Sequence, residues 1–206
     1  MFRKITTALV LLTYTYSTWF ALIAINPELE SANNLAIKWI IRNHLNDPQN
    51  YNLWENVLRQ EIAAVARWVA KLDKKDRCDN IFSDLSDTKP NTWACRNVEI
   101  LVDNGLISKN TTFRPEEKIT KSEAIAMLIK SIWFDYKYNQ ELGWTWQKQV
   151  VDFAVEKWVV ENFSDYNTYA TRGWIFKVAD TTIKKDEEIK QTIIVPQFYS
   201  NEAILK

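Results

Sequence analysis

Glycine is nearly absent from this chain, at three residues in 206, beside five prolines. Average usage would place glycine near ~7%. A turn-rich all-β protein needs residues that tolerate positive φ, so the shortage argues against that class and for helices. Histidine occurs once, at His44, and cysteine twice, at Cys78 and Cys95. One imidazole and two thiols do not complete a zinc site, and neither a metal nor a cofactor is implied. No serine or cysteine motif accompanies His44, which leaves a Ser-His-Asp or Cys-His site without support. Phosphate loops and EF-hand spacing are missing, and no spacing singles out a carboxylate pair, so the sequence reads as a non-enzyme. Net charge is lacking too. Acidic and basic residues balance at 26 each, and nothing points to a nucleic-acid partner.

What is present begins with an uncharged run from Ile5 to Ile25 behind Arg3 and Lys4. A positive flank before a long apolar region is the pattern of a secretory signal, placed here at 1–25. An uncleaved anchor is the alternative, because about 20 apolar residues span a bilayer. Several Thr, Tyr and Ser dilute the run. Both readings imply export, and contact with a membrane follows only if the segment stays attached. In an oxidising compartment Cys78 and Cys95 would close a loop of about 17 residues, worth about 3 kcal/mol by chain entropy. Two unrelated thiols, one of them packed as a small hydrophobe, are the other possibility.

The most informative stretch runs from Phe82 to Ile132. Pro90 and Asn91 form a turn, and a helix is expected to start near Trp93. Val98, Leu101 and Val102 then give it one apolar face. Gly105 is its expected stop, because glycine takes a left-handed C-terminal position without steric cost. A second helix opens at Thr120-Lys121-Ser122-Glu123, a capping box, and buries Ala124, Met127, Leu128 and Ile132. In order and spacing, Phe82-x-Asp84, Trp93-Ala94, Gly105-Leu106-Ile107, Phe113-x-Pro115 and Ile119-Thr120-Lys121-Ser122-Glu123 resemble one S-layer homology (SLH) repeat. The family usually has Arg where Lys121 stands.

Weaker likenesses flank it. Downstream, Phe134-Asp135, Trp146, Phe153 to Val160 and Ala170-Thr171-Arg172 resemble a third repeat, with Ile175, Val178 and Ala179 as an apolar face. Its Gly173-Trp174 stands where the capping-box Glu would be. Upstream, Leu35 to Ile41 and Leu58 to Ala63 resemble a degenerate first repeat. From helix end to basic residue the spacings are 20 (Trp39 to Arg59), 16 (Gly105 to Lys121) and 14 (Trp158 to Arg172). Loops drift in length and helix ends do not. The resulting division is 30–72, 78–132 and 133–183, followed by a charged linker and tail at 184–206. In that tail Thr192-Ile193-Ile194-Val195 is β-branched and reads as a possible short strand ended by Pro196.

Ten tryptophans beside three glycines form an imbalance, and Trp39 and Trp158 stand where the family pattern calls for glycine. A bulky side chain in a left-handed conformation is strained. Three explanations are open. The helices run on to Asn43 and Asn162, or the indoles pack into an altered core. In the third, a UGA codon decoded as glycine has been written as tryptophan.

The resemblance implies a mainly α fold of three helix-loop-helix repeats in a pseudo-threefold bundle. It further implies an exported protein at the cell surface that binds the wall non-covalently. The partner would be an anionic wall polysaccharide, often bearing a pyruvate ketal, or peptidoglycan. By position, Arg59, Lys121 and Arg172 would hold it, each adding a charged grip to free backbone N–H groups at a helix start. Lys121 offers only a point charge. Trp93 and Trp146 would line the grooves or pack in the core; Gly105, at the shared helix end, is counted with them among the ligand-binding residues. Asp84 and Asp135 fit capping or turn roles. The alternative function is a structural envelope protein whose repeats mediate protein–protein packing.

Overall fold

Five α-helices of this chain each run into a residue with positive φ. The computed structural model describes residues 26–42, 50–88, 92–134 and 136–202. The N-terminal run 1–25, His44, Pro90, Asn91 and Asp135 lie outside that set. Helix α1 (Pro27–Ile37) starts on Asn26, whose side chain accepts from the Glu28 and Leu29 amides at 3.0 and 3.4 Å. Helix α2 (Arg59–Val69) and helix α3 (Thr92–Asp103) follow. Helix α4 (Lys121–Ser131) carries the full capping box: Thr120 Oγ1 accepts from the Glu123 amide, and Glu123 accepts from the Thr120 amide at 3.0 Å. A 3-10 turn (Gln140–Leu142) leads to α5 (Trp146–Glu156), capped by Thr145, and then to α6 (Arg172–Glu202).

Helices α1 to α5 share one ending, a left-handed residue with two backbone bonds back into the last turn. After α3, the Gly105 amide donates to the Val102 carbonyl and Leu106 to Leu101, at 2.9 and 2.8 Å. The same pair of bonds recurs at Trp39, Lys71, Trp133 and Trp158, each with φ between 56° and 63°. The next residue turns inward each time: Ile40, Leu72, Leu106, Phe134 or Val159 packs on or within the core. Helices α1 and α5 therefore stop at Ile37 and Glu156, and do not run on to Asn43 and Asn162. Trp39 and Trp158 are not packed in an altered core either, being 76% and 78% exposed.

Helices α2, α4 and α6 meet at the centre, and an outer helix covers each: α3 on α2, α5 on α4 and α1 on α6. Among the described residues, the two helices of each helix-loop-helix stretch do not pack on each other. Each central helix instead pairs with the outer helix that follows it, and α1 closes the ring on α6. There it runs parallel to its partner, with Asn34 on Asp180 at 3.0 Å and Lys38 on Glu187 at 2.8 Å. Gly173 permits this approach, since a Cβ there would sit 2.0 Å from Glu28 Oε2.

No strand occurs among the described residues, but three extended segments before the central helices bond in a circle. The Val57 amide donates to the Ala170 carbonyl, Ala170 to Ile119 and Ile119 back to Val57, at 3.0, 2.9 and 3.0 Å. All three residues are buried, and the core continues from them through Ile62, Ile125, Leu128 and Ile175.

One expectation needs correction. Thr192 to Val195 lie within α6, as does Pro196, so the tail is helix and not a strand. Once its first turns are packed, extending a helix through β-branched residues costs under about 0.7 kcal/mol each. Asp84 lies in a turn closed by the Leu85 amide on the Phe82 carbonyl at 3.3 Å, and its carboxylate reaches well beyond that turn. It accepts from the Phe113 and Arg114 amides at 2.9 and 2.7 Å, binding the loop ahead of α4 while Phe82 stacks edge-on against Phe113. Ile119→Ala should lower stability in urea denaturation by about 2–5 kcal/mol, through the cavity left at the centre of the circle. Leu142→Ala, at an exposed position, should change it by less than about 0.5 kcal/mol.

Candidate functional site

The starts of the three central helices are built alike. The first amide of each donates to a carbonyl from a neighbouring loop: Arg59 to Glu117, Lys121 to Thr168 and Arg172 to Glu55, at 2.9, 2.9 and 2.8 Å. The second amides do the same: Gln60 to Pro115, Ser122 to Tyr166 and Gly173 to Leu53, at 3.1, 3.0 and 2.8 Å. The third amides turn to Leu58 O, Thr120 Oγ1 and Thr171 Oγ1. Free N–H groups for a ligand were expected here; the fold itself has taken them.

The basic side chains follow the same circle. Arg59 donates to Glu123 Oε1 at 2.7 Å and to the Phe113 carbonyl at 2.9 Å. Arg172 donates to Glu61 Oε1 at 2.9 Å and to the Tyr51 carbonyl at 3.0 Å. Lys121 finds Trp174 where the other two find Glu; it lies 5.8 Å from that ring and 5.6 Å from Phe163, and donates to Asp165 at 2.6 Å. Burial lowers the Arg59 pKa, and the Glu123 carboxylate opposes that shift. The hydrogen bond from Lys121 holds the Asp165 carboxyl below its ordinary range. Helix α6 keeps half a capping box, because Trp174 has no carboxylate to return to Thr171.

Two grooves open beside these starts. One, of about 390 Å³, is lined by Arg114, Lys118, Glu123, Trp146 and Tyr169. The other, of about 170 Å³, is lined by Arg42, Glu61, Trp93, Arg172 and Phe176. In each, an indole from the first turn of an outer helix stands across from the N3 glutamate of a central helix. At the third corner, Pro27 and Trp174 occupy those two positions. Another cavity, of about 450 Å³ and lined by Lys38, Trp68 and Lys71, lies where α1 and α2 end.

Of the residues expected at the site, Arg172 and Trp93 share one groove, and Arg59 reaches the other through Glu123. Trp146 lines that second groove. Lys121 lies at the third corner. Gly105 is remote, 12 residues along from Trp93 and so about 18 Å away on a helix that rises ~1.5 Å per residue. Arg114, Lys118 and Tyr169 had escaped notice. Their signal was the pair of cations just ahead of the α4 capping box.

Cys78 and Cys95 are joined as a disulfide, with Cα atoms 5.9 Å apart, tying the segment ahead of α3 to its first turns. Beneath them the fully buried Glu99 accepts from the Asp79 and Ile81 amides at 2.6 and 2.9 Å. The two sulfurs and the Glu99 carboxylate cluster closely, but sulfurs bonded to each other offer no thiolate to a metal.

The Lys121–Asp165 pair should be visible in acid. A carboxyl with a depressed pKa stabilises the fold above its ordinary range, and that contribution is lost as pH falls through the folded value. Asp165→Asn should therefore lower the melting temperature at neutral pH by no more than about 4 °C. The difference should begin to shrink below about pH 4, the ordinary carboxylate value, and vanish only once pH has fallen through the lower folded value, when melting is followed across pH by circular dichroism.

Residues 82–125 match the family model described as the S-layer homology domain. The chain is also similar to the Middle cell wall protein of Brevibacillus brevis, at 21% identity over 138 residues. That alignment covers 66% of this chain and spans 13% of the relative's length. The matched segment contains the Phe82-x-Asp84 latch, α3 with its Gly105 stop, the Phe113-x-Pro115 loop and the capping box of α4. This chain carries an S-layer homology domain at residues 82–125.

Proposed function

We propose that this protein is exported to the cell envelope and there binds an anionic wall polysaccharide, or peptidoglycan, non-covalently and without catalysis. The division into three repeats, at 30–72, 78–132 and 133–183, belongs to the same proposal. One observation carries it: a cation and an indole face a common groove twice, around Arg114 and Trp146 and around Arg172 and Trp93. An indole face suits the apolar side of a pyranose ring, and a guanidinium suits a carboxylate. The relative's name and the family's usual role in wall anchoring support the same reading.

The ion pairs of Arg59, Lys121 and Arg172 favour a second reading, in which the repeats serve only to pack proteins together. Residues at the groove rims separate the two. Wild type should co-sediment with sacculi from the cells that make it. An Arg114→Ala, Lys118→Ala, Trp146→Ala variant that keeps its circular dichroism should lose at least about tenfold in affinity, since each lost charge or stacking contact costs about 1 kcal/mol. Equal sedimentation of both proteins would overturn the groove assignment. Failure of wild type to sediment would leave the packing role.

A further inference from the structure

The three most awkward tryptophans of this chain occupy a single structural position. Trp39, Trp133 and Trp158 are each the left-handed residue that closes a helix, with φ of 60°, 63° and 59°. Gly105 fills the same position after α3, at φ 72°. The bonding is the same at all four, and at Lys71: the left-handed residue's amide donates to the carbonyl three residues back and the next amide to the carbonyl five back. Glycine adopts this conformation without penalty, whereas a bulky side chain there is an outlier.

The indoles gain nothing in return. They are 76%, 61% and 78% exposed. Among the described residues, none of the three stacks on a ring or lies under a cation, unlike Trp68, Trp144 and Trp174. Composition points the same way, with ten tryptophans against three glycines. Among the described residues seven non-glycine residues have positive φ, and tryptophan is the commonest type among them. Asparagine, the usual second choice, supplies two.

One cause explains why three of these positions carry tryptophan. We infer that Trp39, Trp133 and Trp158 are glycine in the protein as its own cell makes it, because that cell decodes UGA as glycine. UGA and UGG differ by one base, and a translation that reads UGA as tryptophan writes Trp at every such codon. Trp93, Trp146 and Trp174 are not in this set. They sit in helical backbone, and their rings line grooves or meet Phe163 and Lys121. The inference rests on backbone geometry and composition and stands apart from wall binding.

Tryptic peptide masses of the protein isolated from its own cells test it. Peptides 39–42, 131–137 and 158–172 should each be lighter by one Trp-to-Gly difference, while 173–177, which holds Trp174, keeps its mass. Tryptophan at any one of the three positions would overturn the inference. In recombinant protein, Trp39→Gly, Trp133→Gly, Trp158→Gly together should raise the melting temperature, by about 5–10 °C. A lower melting temperature would overturn the premise that these positions require glycine.

Discussion

Three backbone hydrogen bonds, running in a circle through Val57, Ile119 and Ala170, fix where everything else in this protein can go. Each amide that donates in the circle belongs to a residue whose carbonyl also accepts in it, so no corner can leave without breaking two bonds. The segments bonded there lead directly into α2, α4 and α6. That geometry delivers the first two amides of each helix onto a neighbouring loop, and unpaired donors at a buried helix start would otherwise be costly. The helices pair across the helix-loop-helix boundaries for the same reason. Once a helix start is held by its neighbour's loop, its free flank faces the outer helix that follows.

This arrangement separates stability from binding. Arg59, Lys121 and Arg172 bind the ring together, each pairing with an acid contributed by another central helix or the loop before it. Without these cations Glu123 would keep the bonds it accepts from the Thr120 amide and hydroxyl, Glu61 the one from the Leu58 amide, and Asp165 the one from the Thr168 hydroxyl, none of which ties two corners together. The groove rims hold more exposed groups, Arg114 and Lys118 above all, which can meet a ligand without loosening the ring. The third corner departs from the other two because Trp174 replaces a glutamate, and Lys121 there turns to aromatic faces and to Asp165.

The central repeat was legible because its signals are local. Thr120 with Glu123 sets the start of α4, Gly105 the end of α3, and the apolar spacing of Val98, Leu101 and Leu128 their buried faces. What lay beyond the sequence depended on distant partners. Nothing near Asp84 shows that it will hold the amides of Phe113 and Arg114. Nothing near Arg59 shows that its own amide will be taken by Glu117. The helical tail escaped because β-branched residues at Thr192 to Val195 carry a weak preference that a well-anchored helix overrides. Trp39 and Trp158 were marked by composition and by the glycine positions of the family pattern, and the backbone adds Trp133 in the same left-handed cap.

Titration of isotopically labelled protein with purified wall polysaccharide, followed by NMR at the indole N–H signals, tests this separation most directly. The signals of Trp93 and Trp146 should move on addition of polysaccharide, while the amides of Val57, Ile119 and Ala170 stay in place. Movement confined to Trp68 and the cavity beside it, or a change at the three ring amides without one at the grooves, would contradict it.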